Sequence, residues 1–357
     1  MLFYVFLGVI AALFAFTAAQ VQRSQFIIAA PLIILIAYFI GFRDLSIGTD
    51  TLRYAEIYHD IKPLFTALAQ ESFGFEAQRI EIGFVTLASL FRELGISFSG
   101  FLFVLNLFTL AIIYRSFSLL DGRLGPILFF LYTCTFTFIT LQYNIVRQGI
   151  AVAICTYAFI KMLNGKHIQF LMFTLLATTF HSMSVLFLCV WPFRNFKWRP
   201  LYILVFTFIF VVIANVDFLS ELANLLAPYS LSMYRVANYM ITQAGSTNFL
   251  SIAILFDFLL ICYCIIDSRF LRQYSKRFDV ILTTFVIGFL GMAALHELNL
   301  LSLRFFYLFC PYEVYLFALS FSRFKAELWL RTTMLLSFGM LWLVKNLFIT
   351  AQFITTY

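Results

Sequence analysis

Long apolar runs, separated by short polar connections, make up most of this chain. The runs are continuous and do not alternate between apolar and polar positions, so they predict membrane helices and not the strands of a β-barrel. Several are shorter than the roughly 20 residues that cross a bilayer squarely. The runs are 2–19, 26–40, 100–119, 125–142, 145–163, 168–193, 201–214, 249–266, 280–296, 303–322 and 331–349.

The composition agrees with a protein embedded in lipid. Of 357 residues, 63% are hydrophobic and 11% are charged, whereas soluble domains are nearer about half apolar. Backbone polar groups in hydrocarbon must be satisfied within the protein, which again favours helices. We therefore predict an all-α, polytopic transmembrane helical bundle of about 11–13 membrane segments, forming a single integral membrane domain over 1–357.

Basic residues predict which ends of these segments face the cytoplasm. Most Lys and Arg residues stand in six short connections, and cytoplasmic loops are enriched in these residue types. With all six inside, 41–80 and 215–248 become periplasmic loops. The six connections carry Arg23; Arg115 and Arg123; Lys161 and Lys166; Arg194, Lys197 and Arg199; Arg269, Arg272, Lys276 and Arg277; and Arg323, Lys325 and Arg331.

Two segments cannot cross the membrane in one pass if this orientation holds. Run 168–193 has basic connections at both ends, so it predicts a short hairpin with its tip near His181. Segment 81–95 is predicted to be a re-entrant or interfacial helix. Such backbone at membrane depth is tolerated where it lines a protein cavity. A single tilted span over 168–193 is the alternative, and it would invert the orientation of everything that follows.

The same orientation gathers polar side chains at the periplasmic face. Two arginines suit a diphosphate because each guanidinium can form bidentate, charge-assisted hydrogen bonds. A carboxylate or an imidazole can act as a base toward a hydroxyl group. This combination predicts glycosyl transfer from a polyprenyl-diphosphate sugar. The residues are Asp50, Glu81, Arg147, His181 and Arg304.

Each of these residues also has a structural interpretation. Arg147 and Arg304 could extend to lipid phosphates at the membrane surface. Asp50 and Glu81 could stabilise the first turns of helices that begin just after them. His181 could be a core histidine that bonds to a neighbouring hydroxyl group. The sequence alone leaves these alternatives open.

The motifs of soluble enzymes are absent from the sequence. There is no Walker loop, dinucleotide glycine pattern, G-x-S-x-G or H-E-x-x-H. The six cysteines all lie in apolar runs and lack the paired spacing of a zinc site. We expect no cofactor and no metal. A divalent ion held by Asp50 and Glu81 is the alternative.

Six short motifs occur in order along the chain and together resemble one family. They resemble the EpsG family of Wzy-type polysaccharide polymerases, and R-Q-G-I-A and F-H-S are the most specific parts. The motifs are Arg43, GTDTLRY (48–54), EIG (81–83), RQGIAVAI (147–154), FHSMSVL (180–186) and RFFY (304–307).

The resemblance implies a bacterial inner-membrane glycosyltransferase with a GT-C-like fold and a periplasmic active site. It would join undecaprenyl-diphosphate-linked oligosaccharide repeat units of O-antigen, capsule or exopolysaccharide by an inverting, metal-independent displacement. Its partners would be the lipid-linked donor and acceptor, membrane lipid and a chain-length regulator protein, and no nucleic acid is expected. The resemblance implies catalytic roles for Asp50, His181 and Glu81, diphosphate binding by Arg147 and Arg304, and substrate contacts from Arg43, Tyr54, Gln148 and Tyr307.

Two other functions remain open at this point. A transporter, such as a lipid-linked sugar flippase, is expected to have polar residues near mid-membrane and inverted repeats. The chain instead shows polar residues at one face and no visible repeat. A membrane acyltransferase also uses a histidine in a membrane cavity, but it does not require a pair of arginines.

Overall fold

The computed structural model describes residues 2–20, 25–75, 77, 80–216, 247–323 and 328–355. Every regular element in these residues is a helix, which confirms the predicted all-α fold. A helix or a broken pair of helices covers each of the eleven predicted runs. Nearly all of the predicted loop 215–248 lies outside the described residues.

The helices follow one another through short connections. The first ten are α1 Leu2–Gln20, α2 Gln25–Gly41, α3 Thr51–Asp60, α4 Leu64–Ala69, α5 Ile82–Glu93, α6 Phe98–Leu120, α7 Gly125–Thr133, α8 Phe136–Ile139 with a π-helix over Thr140–Asn144, α9 Val146–Leu163 and α10 His167–Thr178. A 3₁₀ helix, Ser182–Phe193, is followed by α11 Tyr202–Ala214, α12 Ile252–Ile266, α13 Ser268–Tyr274, α14 Phe278–Ala294, α15 Asn299–Tyr307, α16 Pro311–Ser320 and α17 Leu328–Thr355.

These elements form two compact units. The first contains Met1–Leu188 and Phe324–Tyr357, and the second contains Cys189–Arg323. In the first unit, α9 packs against α6 and α10, and α6 also packs against α2. Among the described residues, α6 and α9 are each long and apolar enough to cross a membrane alone. The single membrane domain predicted from the sequence stays a prediction.

Helix α9 lies at the centre of the first unit. The side chains of Ala151, Ala153 and Ala158 have no exposed surface. Small residues of this kind let neighbouring helix backbones approach closely in a membrane. A rigid, enclosed helix therefore carries Arg147 in its first turn.

Two predicted spans are bent rather than straight. Run 125–142 contains α7 and the α8–π-helix segment, whose axes differ by 70°. Thr135 starts the second helix, because its hydroxyl accepts a hydrogen bond from Phe138 N at 3.1 Å. Run 303–322 contains α15 and α16, which differ by 62°, and Pro311 begins the second of these.

The hairpin predicted over 168–193 is present in the structure. Helix α10 ends at Thr178, and the 3₁₀ helix begins at Ser182. The ring centroids of Phe170 and Phe187 lie 6.1 Å apart. In one continuous straight helix, two residues 17 positions apart would be separated by about 25 Å along the axis. The chain therefore reverses direction close to His181.

Helix α5 is too short to cross a membrane. Its 12 residues span about 18 Å, against about 30 Å for a hydrocarbon core. One face, with Phe84, Val85, Ala88 and Ser89, is buried. This agrees with a re-entrant or interfacial helix.

A hydrogen-bonded cluster joins two connections of the second unit. Asp279 accepts bonds from Arg272 Nε at 2.7 Å, Arg272 Nη2 at 2.8 Å and Trp198 N at 3.0 Å. The Trp198 indole donates to Thr283 Oγ1 at 2.9 Å. The connections that contain Trp198 and Arg272 are both predicted to be cytoplasmic, and the cluster places them together.

Candidate active site

The Glu81 carboxylate connects three separate segments of the first unit. Its Oε2 accepts a hydrogen bond from the Arg147 guanidinium in the first turn of α9. Its Oε1 lies 3.3 Å from His181 Nδ1 at the hairpin tip and accepts a bond from Ser182 N at 3.2 Å. The structure therefore brings together three residues that the sequence placed on one face.

Gly83 makes this meeting of segments sterically possible. Its N–H donates to Thr179 O at 2.7 Å, which joins the start of α5 to the hairpin tip. A Cβ atom at this position would lie 2.4 Å from Thr179 Oγ1 and 2.8 Å from Thr179 O. The glycine of the E-I-G motif thus permits the approach that positions Glu81.

The surroundings of Glu81 keep it ionised. Burial would by itself raise the pKa of this carboxyl, but the contact with His181 and the charge of Arg147 outweigh it and lower the pKa to about 2. A carboxylate with so low a pKa is a weak proton acceptor. It is suited instead to holding the arginine and the histidine in fixed orientations.

His181 places its Nδ1 3.3 Å from Glu81 Oε1. The residue is 8% exposed, and both of its buried ring nitrogens lack a hydrogen-bond partner among the described residues. A carboxylate beside Nδ1 favours the tautomer that carries its proton there. The lone pair of Nε2 can then accept a proton, as the histidine does in an Asp–His dyad.

Helix α3 brings Tyr54 close to Arg147. Arg147 Nε donates to Tyr54 Oη at 3.3 Å, and the guanidinium carbon lies 5.7 Å from the ring centroid. Asp50 stands one helical turn before Tyr54, and its side chain makes no capping hydrogen bond. Asp50 thus occupies the N-cap position that the capping alternative predicted, but without the capping bond of its side chain.

Arg43 fixes the loop that leads into α3. Its guanidinium donates to Ile40 O at 2.6 Å, to Tyr143 O at 2.9 Å and to Thr51 Oγ1 at 3.0 Å. Gly48 has φ +94°, and a Cβ there would lie 2.5 Å from Tyr143 O. This loop is thus held against the residues just before α9, and the predicted substrate contact of Arg43 stays a prediction.

The other residues named from the sequence lie elsewhere in the fold. Gln148 follows Arg147 in α9 and is 1% exposed. Arg304 and Tyr307 lie on α15, in the second unit. Their roles in binding the diphosphate and the substrate also stay predictions.

Sequence reasoning missed several partners because they act through backbone atoms. Thr179 O and Ser182 N hold Gly83 and Glu81, and Tyr143 O receives Arg43. Any residue type can make such a backbone contact, so the sequence does not reveal it. The F-H-S motif indicated where the hairpin tip lies but not which backbone atoms form these bonds.

No three His, Cys, Asp or Glu side chains of the described chain are grouped to hold a metal ion. Both oxygens of Glu81 are already directed at other groups: Arg147 on one side, and His181 and Ser182 on the other. The catalytic roles predicted for Glu81 and His181 and the diphosphate-binding role predicted for Arg147 stay predictions.

Comparison with known families places the chain in one of them. The family model of the EpsG family matches residues 26–357. No curated protein and no solved structure shows a significant match. Because the match covers nearly the whole chain, this protein belongs to the EpsG family of Wzy-like membrane polysaccharide polymerases.

Proposed function

We propose that this protein polymerises undecaprenyl-diphosphate-linked oligosaccharide repeat units at the periplasmic face of the bacterial inner membrane. The observation that carries the proposal is the Arg147–Glu81–His181 arrangement. It sets a cation able to bind phosphate beside a histidine whose Nε2 faces no described partner. The family match supports the same class of reaction.

In this proposal, Arg147 binds the diphosphate of the lipid-linked donor. Its side chain is 26% exposed, so the guanidinium is held by Glu81 and Tyr54 but still reaches a ligand. A planar guanidinium neutralises the charge that develops on the departing diphosphate. The diphosphate-binding role predicted for Arg304 stays a prediction from the sequence.

His181 is proposed as the base. Its Nε2 takes the proton of an acceptor sugar hydroxyl while that oxygen attacks the anomeric carbon of the donor. The bond from the anomeric carbon to the phosphate oxygen breaks, and undecaprenyl diphosphate leaves with the electron pair. One displacement of this kind inverts the anomeric centre. Glu81 orients His181, and Asp50 orients the acceptor.

The test uses purified protein in liposomes that contain lipid-linked repeat units. We expect the wild type to form a ladder of longer lipid-linked glycans and His181→Gln to lose most of this activity. Asp50→Asn should lose activity but keep the acid limb of the pH–rate profile. If Asp50→Asn removes that limb while His181→Gln turns over normally, the two roles are exchanged.

A strain that lacks the protein separates polymerase from flippase. A missing polymerase leaves single lipid-linked repeat units, which can be detected by mass spectrometry. A missing flippase would instead leave the same units at the cytoplasmic face. The second result would overturn the proposed function.

A further inference from the structure

An open cavity of about 700 Å³ lies in the first unit. It opens between the loop after α2, one face of α3, and the connection from α5 to α6. Small-molecule sites commonly fall between about 300 and 1,000 Å³, so this volume suits a short oligosaccharide. Its lining includes Phe42, Asp44, Tyr58, His59, Arg92 and Ser97.

The lining offers both hydrogen-bond donors and acceptors around aromatic faces. Arg92 Nε donates to Ile61 O at 3.2 Å, which fixes the guanidinium and leaves its terminal nitrogens unoccupied by described residues. Asp44 Oδ1 accepts bonds from Ser46 N and Oγ, at 2.8 and 2.6 Å, which orients its second oxygen. His59 is exposed on α3.

This mixture distinguishes a glycan from a phosphate group. Sugar hydroxyls both donate and accept hydrogen bonds, so they can use Asp44 as well as Arg92 and His59. A phosphate or a lipid headgroup phosphate is matched by donors and repelled by a carboxylate. The exposed ring of Phe42 adds apolar surface for a sugar ring.

Helix α3 connects the cavity to the candidate active site. Tyr54 contacts Arg147, and Tyr58, one turn later and roughly 6 Å along the axis, lines the cavity. Arg43 also lines the cavity and donates to Tyr143 O, just before α9. A glycan in the cavity would therefore lie within reach of a diphosphate at Arg147.

We infer that this cavity binds the oligosaccharide of a lipid-linked repeat unit and so contributes to recognition of the correct repeat. The inference rests on the proposed function. The glycan belongs either to the incoming acceptor or to the donor chain, since both present the same sugar hydroxyls. The substrate whose KM rises in the cavity variants identifies which of the two the cavity binds.

The experiment compares His59→Ala and Arg92→Ala with Arg53→Ala as the matched control. Arg53 lies on the same helix, pairs with Glu56 at the exposed surface and does not line the cavity. Protein in liposomes is titrated separately with acceptor and with donor lipid-linked glycan. Binding of the free repeat-unit oligosaccharide is measured in parallel by saturation-transfer NMR.

We expect each cavity variant to raise KM for one lipid-linked glycan about tenfold, because it loses a hydrogen bond between the glycan and a charged group. The kcat should stay within about twofold of wild type. Saturation transfer to the free oligosaccharide should weaken in parallel, while Arg53→Ala behaves as wild type. A raised KM for acceptor assigns the cavity to the acceptor, and a raised KM for donor assigns it to the donor chain.

Other outcomes overturn the inference without touching the proposed function. If both variants keep wild-type KM and oligosaccharide binding while His181→Gln loses turnover, the polymerase stands and the cavity is not a glycan site. If the variants change only binding to vesicles containing anionic lipid, the cavity binds a headgroup. If wild-type protein makes no polymer but still binds the oligosaccharide at this cavity, the proposed function fails and the glycan site stands.

Discussion

Glu81 divides its two oxygens between an arginine and the tip of a hairpin, so one side chain fixes the geometry of two functional groups. Arg147 is held in α9 on one side, and His181 with Ser182 N is held on the other. Loss of this carboxylate should release both partners at once. Glu81 therefore acts as a positioning residue in the proposed mechanism.

At Arg147, the planar fork should matter as well as the charge. Arg147→Lys keeps the positive charge but cannot bind Glu81, Tyr54 and a diphosphate together in the same plane. We expect turnover to fall about 10²–10³-fold, the usual cost of losing one preorganised donor at developing charge. Polymer formation at the wild-type rate in the purified assay would assign the arginine a simple charge or surface role.

The low pKa of Glu81 makes a pH-dependent contribution to stability. The pKa falls from an ordinary value of 4.5 to about 2 in the folded protein, so folding favours the ionised form. This stabilisation is fully present above about pH 4.5 and is lost as the pH falls toward 2.

We therefore expect the difference in thermal stability between wild type and Glu81→Gln to be constant near neutral pH. The difference should shrink below about pH 4.5 as the unfolded carboxyl becomes protonated. Unfolding in detergent across this pH range, followed by tryptophan fluorescence, measures it. A difference that grew on acidification would contradict the assigned ionisation of Glu81.

The sequence predicted which residues gather, but not how they are bonded. Hydropathy and basic connections placed Glu81, Arg147 and His181 on one face, because each lies at the same end of its segment. The bonds of Glu81 to Arg147 and to Ser182 N join positions 66 and 101 residues apart, which no local pattern encodes. Asp50 followed good capping chemistry in the sequence, yet its side chain does not cap α3.

At the level of elements, the approach of α5 to the hairpin depends on Gly83. Gly83→Ala places a Cβ against backbone and side-chain atoms of Thr179 and should move α5 away from the hairpin tip. Overpacking of this kind costs roughly 1–3 kcal/mol in the free energy of unfolding. We expect lower thermal stability together with reduced polymerisation.

The matched control for this change is Gly122→Ala. A Cβ at Gly122 meets no atom within 4 Å, so the substitution should leave stability and turnover close to those of wild type. Equal behaviour of the two alanine variants in the melting and turnover assays would show that the contact with Thr179 does not position Glu81.

Element positions followed from hydropathy, but the bends within them did not. Runs 125–142 and 303–322 read as straight spans because apolar character continues through the breaks. The breaks depend on a capping hydroxyl at Thr135 and on Pro311, which act on backbone geometry and not on hydropathy. The hairpin was predictable because basic connections stand at both ends of run 168–193, which places both ends on the same side of the membrane.

At the scale of the whole molecule, the predicted orientation can be tested by cysteine labelling. In a cysteine-free background, single cysteines within 55–75 and 235–245 should react with an impermeant thiol reagent added from the periplasm. Cysteines within 195–198 and 270–277 should not react, because positive connections are retained inside. Labelling of 195–198 from the periplasm would reverse the orientation assigned after the hairpin.

The order of Glu81 and Arg147 along the chain also bears on membrane insertion during synthesis. An arginine in a membrane helix raises the free energy of its insertion, and Glu81 is synthesised before α9 and is available to pair with it. We expect Glu81→Gln to reduce the fraction of nascent chains in which α9 inserts, measured with a glycosylation reporter in truncated chains. His181 is synthesised after α9, so His181→Gln should leave that fraction unchanged. The Glu81 carboxylate that orients the site would then also assist insertion of the protein into the membrane.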